Sequence, residues 1–142
     1  MNQPLAGYHF MVEWGGARGG FTEVSGLDVE TDVMEYREGS DRDFNARKFP
    51  GMRKVSNVVL KRGIFQGDNE FFEWLNATRM ASPERRDLIV SLLNEEHEPL
   101  VVWKLRSAWP VKLSGPALNA LRSGFAIETL EVAHEGFVVE HG

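Results

Sequence analysis

The side chains able to do covalent or metal chemistry are sparse and scattered. Four histidines, His9, His97, His134 and His141, fall in separate segments. A zinc site built on a helix needs two histidines four residues apart with a glutamate beside the first. His134-Glu135 starts such a pattern, but no second histidine follows at that spacing. His97 lies among Glu95, Glu96 and Glu98 and reads as a solvated turn residue. No serine occupies the strand-to-helix elbow of a hydrolase nucleophile. Cysteine is absent, which removes thiolate catalysis, disulfides and cysteine-bound zinc. GGARGG at 15–20 is glycine-rich, yet it lacks the Lys-Ser/Thr and the following helix that a phosphate-cradling loop requires. The carboxylates alternate with basic neighbours on strand-like runs, which is how a charged surface looks. These residues predict no enzyme, no catalytic or metal site and no cofactor.

Binding chemistry is concentrated in one stretch, Tyr36 to Leu60 (YREGSDRDFNARKFPGMRKVSNVVL). Between Arg37 and Lys54 stand six bases (Arg37, Arg42, Arg47, Lys48, Arg53, Lys54) and three acids (Glu38, Asp41, Asp43). The segment carries +3 in a chain of net charge −5, so the remainder sums to −8. A basic arm on an acidic body suits a protein that binds copies of itself. As a plain solvated loop the arm would be long, because connections beyond about 12–15 residues are uncommon without a function.

At 142 residues the chain predicts one domain, 1–142, large enough to bury a core without disulfides. Its start, MNQPLAGYHF, lacks a basic segment followed by an apolar one, so no signal peptide is expected. No apolar run approaches the ~18 residues of a membrane span. The expectation is synthesis in the bacterial cytoplasm without direct membrane insertion. An isoelectric point near 5.4 argues against sequence-independent affinity for nucleic acid.

The elements that must position the arm are mostly strands. Gly7 to Trp14 predicts a first strand with Tyr8, Phe10 and Val12 on one face, and Phe21 to Ser25 a second. Leu27 to Tyr36 alternates as a half-buried antiparallel strand does. Val55 to Arg62 resumes strand character, and the two are expected to pair as a long hairpin with the arm at its tip, Pro50-Gly51 forming a turn there. Asp68 reads as the N-cap of a helix whose Phe71, Trp74, Leu75 and Thr78 share one face. Arg86–Leu93 and Leu100–Ser107 predict a further antiparallel pair. Trp109-Pro110 marks a bend, Val111–Leu113 a short strand, and Gly115-Pro116 to Ser123-Gly124 a loop with room for a helical turn. Phe125–Ala133 is the last long strand, and Phe137–Glu140 closes the chain. The sum is a mainly β (α+β) fold of seven or eight strands. Two antiparallel sheets make a sandwich or partly open barrel, with one flanking helix and a long extended hairpin loop.

Seven phrases occur in order along nearly the whole chain: FTEVSGL (21–27), EYREG (35–39), KFPGMRKVSNVVLKRGIF (48–65), FFEWL (71–75), RRDLIVSLLNE (85–95), VVWKLRSAWPVKLSGPALNA (101–120) and AIETLEVAHEGF (126–137). Together they resemble the tail-tube proteins of contractile-tailed bacteriophages and of related injection systems, the R-type pyocins and extracellular injection particles. The resemblance implies a structural subunit that forms hexameric rings, stacked as a hollow inner tube for DNA or protein cargo. It implies contacts with itself, with sheath, baseplate and tube-terminator proteins and with cargo in transit. It implies a final location in a phage tail or tail-like particle and no sequence-specific nucleic-acid binding. In such proteins the extended hairpin reaches the neighbouring ring. The expected ring-stacking interface is therefore Arg37, Glu38, Asp41, Arg42, Asp43, Phe44, Arg47, Lys48, Phe49, Met52, Arg53 and Lys54. Two alternatives share parts of this pattern: a tube-initiator or baseplate tube protein of the same family, and a monomeric ligand-binding β-barrel.

Overall fold

A computed structural model describes residues 3–16, 19–40, 42, 46–79 and 82–142. In chain order the elements are β1 (Phe10–Glu13), β2 (Phe21–Ser25), β3 (Val29–Tyr36), β4 (Arg47–Val55), β5 (Val58–Gly63), α1 (Glu70–Ala77), β6 (Arg86–Leu93), β7 (Pro99–Ser114), β8 (Ile127–Ala133) and β9 (Phe137–His141). All strand pairs are antiparallel. The long strand β7 organises them. Its first half pairs with β6, which carries β1 beyond it, and on its other side with β9. Its second half pairs with β8, and β5 and β2 follow outward. Two half-sheets therefore share one strand and enclose the core between them, and β1 and β2 remain as separate edges. The barrel is not closed.

The two halves meet where β7 changes partners. Leu105 opposes Leu88 and Ala108 opposes Arg86, so Arg106 and Ser107 together face Asp87 as a bulge. Ser107 takes φ 52°, unusual for a residue with a side chain, and its N–H donates to Asp87 Oδ1 at 3.0 Å. The expected bend at Trp109-Pro110 is a correction. The strand runs unbroken through both residues, and the fully buried Pro110 lies opposite Val132 beside a second register shift, where a missing N–H costs no regular ladder bond. The segment 115–126 forms turns and no helix.

Alternation fills the core. Val58, Leu60 and Arg62 of β5 face inward with Leu130 and Val132 of β8. Val12, Trp14, Leu88, Val90 and Leu105 come from the other half. Helix α1 lies over one end of the core. Its Phe71 and Trp74 are buried against Trp14, with ring centroids 4.8 and 5.9 Å away. Phe72, one step round the helix, is exposed, as an apolar stripe of limited width requires.

One charge is buried among these rings. Arg62 is 1% exposed, and its Nε donates to Glu128 Oε1 at 2.9 Å while Nη2 donates to Asp68 Oδ1 at 3.1 Å. Its guanidinium lies 3.9 Å from the Phe71 ring centroid, within cation–π reach. Asp68 Oδ1 also accepts the Glu70 N–H at 3.2 Å. The sequence placed Asp68 at the N-cap. The cap is Asn69, whose side chain makes no capping bond, and Asp68 serves the helix start from one residue earlier. The same carboxylate thus anchors α1 to β5.

Replacing Arg62 by alanine leaves Asp68 and Glu128 facing a cavity, and breaking a buried pair in this way costs about 3–5 kcal/mol. The expected result is a lower denaturant midpoint with unchanged slope. A loss below ~1 kcal/mol contradicts a structural role for this cluster.

Candidate assembly interface

Strands β3 and β4 form a ribbon by themselves. Leu27 and Asp28 lead into it from β2, and Ser56 and Asn57 lead out to β5. The Ser56 N–H closes its base on the Asp28 carbonyl at 3.4 Å. Gly26 makes the exit possible. It has φ +89°, and a Cβ there would collide with the Asn57 carbonyl oxygen. Among the described residues the ribbon packs substantially on no other element.

The register corrects two expectations. The partner of β3 is Arg47–Val55, not Val55–Arg62, whose residues from Val58 onward belong to the main sheet in β5. Pro50-Gly51 is no turn: Thr31 faces Arg53 and Val33 faces Pro50, leaving Gly51 and Met52 opposite Asp32 as a bulge. Gly51 fits because a Cβ would stand 3.1 Å from the Asp32 carbonyl oxygen. The connection at the tip is therefore only 37–46.

This register also places the charges. Glu30 opposes Lys54 and Glu35 opposes Lys48, with Met34 opposite Phe49 between them. Lys54 Nζ lies 2.9 Å from Asp32 Oδ1. Several of the bases expected to reach a neighbour thus meet acids of their own ribbon first. Arg53 faces Thr31, Arg47 faces Tyr36, and Tyr36 Oη donates to Glu38 Oε1 at 3.4 Å. Arg37 and Arg42 lie exposed at the tip. Asp41, Asp43 and Phe44 fall outside the described residues.

Apolar groups on this ribbon were undercounted. Phe49 and Met52 are exposed as expected, and Val33, Met34 and Tyr36 are exposed with them at 55–63%. Of the half-buried strand expected at Leu27–Tyr36, Leu27 packs on the core, and Val29–Tyr36 is buried on neither face. A two-stranded hairpin without a packed face is marginal in water. Uncovered apolar side chains on both faces make it a surface that gains stability from being covered.

Elsewhere, the structure brings His9 and His97 edge-on at 4.6 Å, which their separation in sequence did not suggest. Among the described residues no group of three or more metal-ligating side chains converges, and no helix is long and apolar enough to cross a membrane.

The model of the family described as T4-like virus tail tube protein gp19 matches residues 6–138. No curated protein matches the chain. Among solved structures, a cryo-EM structure of an extracellular contractile injection system, the PVC sheath-tube complex in its extended state, contains a chain 31% identical. That match covers 98% of this chain and 93% of the other, with a TM-score of 0.89. A chain of the anti-feeding prophage cap is 33% identical over 100% of this chain and 94% of its own, with a TM-score of 0.90. The crystal structure of an Hcp protein, 14% identical over 93% and 92% with a TM-score of 0.63, shares the fold.

The ammonium of Lys54 is held above its ordinary value of 10.5, first by its hydrogen bond to Asp32 and then by the Asp32 charge. A cation favoured in the folded ribbon adds stability at every pH below about 10.5, and that contribution is lost as pH rises through the folded value. The titration of Lys54 followed by NMR should have a midpoint above 10.5, and Asp32→Asn should return it towards that value. An identical midpoint in the variant contradicts the contact.

Proposed function

This chain belongs to the T4-like virus tail tube protein gp19 family, and from that premise we propose how its ribbon builds the tube. The chain is a structural tube subunit. Six copies close a ring, the rings stack, and the β3–β4 ribbon of each subunit reaches the adjacent ring. Its whole length, 1–142, acts as one tube domain. The reading rests on one observation above all: the ribbon exposes apolar side chains on both faces and, among the described residues, packs substantially on no other element. A contact with a second copy removes that cost.

Charge refines the interface. Exposed ion pairs contribute only about 0–1 kcal/mol each, so stacking relies on many repeated contacts around a ring. Lys48 and Lys54 lie opposite or beside acids of their own ribbon, and Arg37 and Arg47 have contacts within the chain, so Arg42 and Arg53 are the bases best placed to meet a neighbour. The proposed stacking set remains Arg37, Glu38, Asp41, Arg42, Asp43, Phe44, Arg47, Lys48, Phe49, Met52, Arg53 and Lys54. Within it Phe49 and Met52 carry the apolar part.

A ring with an open centre is a conduit. The proposed partners beyond the chain itself are a sheath around it, a baseplate where it starts, a terminator where it ends and cargo inside. The assembled particle is tail-like, and its tube leaves the cell that made it.

Purified alone, the protein should give species heavier than a monomer in solution, and hollow rods or rings under negative-stain electron microscopy. A species that stays monomeric at high concentration, even with preformed baseplates added, contradicts the reading. Arg42→Glu with Arg53→Glu should reduce rod formation while leaving the unfolding midpoint of the monomer unchanged. Full rod yield from that variant shows that these bases do not meet the neighbour. Lys48→Glu is a poorer probe, since it also sets two acids face to face with Glu35 inside the ribbon.

A further inference from the structure

The ribbon occupies one end of the subunit, and the opposite end carries an apolar surface that the preceding account leaves unused. The strand registers fix both positions. In the half-sheet of β2, β5, β8 and β7, one end is marked by Ser25, Val58 and Val132, and the other by Phe21, Gly63, Ile127 and Ser114. The ribbon departs from the first end through Gly26 and Asn57. From the second depart the 115–126 segment and the turn that leads to α1.

At this second end Leu118, Leu121 and Phe125 are 85%, 96% and 95% exposed, and Ile64 is 44% exposed. The backbone holds them outward. Asn119 Oδ1 accepts the Leu121 N–H at 2.9 Å, the Asn119 carbonyl accepts the Arg122 N–H at 3.3 Å, and Ala126 accepts the Ile64 N–H at 2.9 Å. Phe125 joins two hollows. One lies within the segment beside Leu118. The other, of about 310 Å³, lies between Gly20, Ile64 and Ile127.

We propose that this apolar pole is the receptor for the β3–β4 ribbon of the next copy of the chain, with Phe49 and Met52 seated against Phe125 and the hollow beside it. The inference rests on the tube reading and adds the surface that completes it. A filament requires a contact between two different surfaces whose repetition does not close, and surfaces at opposite ends of a subunit meet that requirement. The areas are of the right order. Three nearly uncovered side chains and Ile64 present on the order of 500 Å², a large part of the ~800 Å² per partner in a standard interface. A patch of that size is at the upper end of what monomers expose, and such patches are often functional. The segment 115–126 has one charged residue, Arg122, and no acid. The seat is therefore apolar, and the ribbon's bases stay at its rim in contact with water.

The absence of cysteine allows a direct test. Met52→Cys combined with Phe125→Cys in one chain should, in oxidised rods, give a ladder of covalent multimers that reductant dissolves. Each single variant should give nothing beyond a dimer. A control pair, Met52→Cys with Glu96→Cys, places the second thiol in the turn before β7, at the other end of that strand from 115–126. Rods without a ladder from the Phe125 pair, or a ladder from the Glu96 pair instead, overturn the receptor and leave the tube reading standing. Absence of rods from the unaltered chain, even with preformed baseplates added, overturns both. As a second measurement, Leu121→Asp should lower rod yield at least tenfold with an unchanged unfolding midpoint. Undiminished yield from that variant also overturns the proposal.

Discussion

A two-stranded ribbon that leaves its own domain has no core, and this constraint shapes the rest of the molecule. Hydrogen bonds between β3 and β4 satisfy the backbone on one side of each strand only. Val33, Met34, Tyr36, Phe49 and Met52 remain in water. Cross-strand pairs such as Glu35 with Lys48 contribute tenths of a kcal/mol and hold the register, but they do not replace a buried face. The isolated chain is thus stable in its sheets and incomplete in its ribbon. Copies of the same chain can complete it. The charge pattern agrees: acids and bases placed opposite one another within the ribbon preserve its shape.

An element that leaves its own sheet without packing on another needs a rigid base. Here the base is made by sharing strand β7 between two half-sheets and by clamping α1 onto β5. Arg62 supplies the clamp through Glu128, Asp68 and the face of Phe71. Burying an ion in this way is a poor route to stability for its own sake, because desolvation offsets most of the Coulomb gain. Its effect is positional. Asp68 binds both the guanidinium and the first turn of the helix, so the helix start and the end of β5 move together. Gly26 and the ribbon base lie at the far end of that same strand pair. The exit direction of the ribbon is therefore tied to the core.

How much of this was legible in the sequence depended on the range of the interaction that decides each feature. Phe21–Ser25 and Arg86–Leu93 coincide with observed strands because residue types within a few positions decide them, alternation in Arg86–Leu93 and a glycine stop at Gly26 after Phe21–Ser25. The helix face was legible for the same reason. The partner of β3 was not, since RKFPGMRKV contains Pro-Gly and local turn chemistry competes with strand pairing. The ladder from Tyr36 to Val29 prevails by pairing Pro50 with Val33 and absorbing Gly51 with Met52 in a bulge. Pro110 misled in the same way, as a bend signal inside a strand that continues. Alternation along Leu27–Tyr36 could not reveal that neither face is covered, because a strand awaiting a partner subunit has the same pattern as one packed on its own core. Arg62 gave no signal, as its acids lie six and 66 residues away. Of the residues proposed for the interface, the charged ones stand out in the composition of the segment. Met34, Tyr36 and the apolar pole around Phe125 became visible only through exposure in the fold.

The most direct test is amide hydrogen exchange of residues 29–36 and 47–55, measured on the unassembled subunit and on assembled rods. The account predicts fast exchange for the ribbon in the subunit beside a protected core containing β5 and β8. In rods it predicts strong slowing of those same ribbon amides. A ribbon as protected in the free subunit as in the rod would contradict the claim that a neighbouring copy completes its fold. So would a ribbon that still exchanges freely once rods have formed.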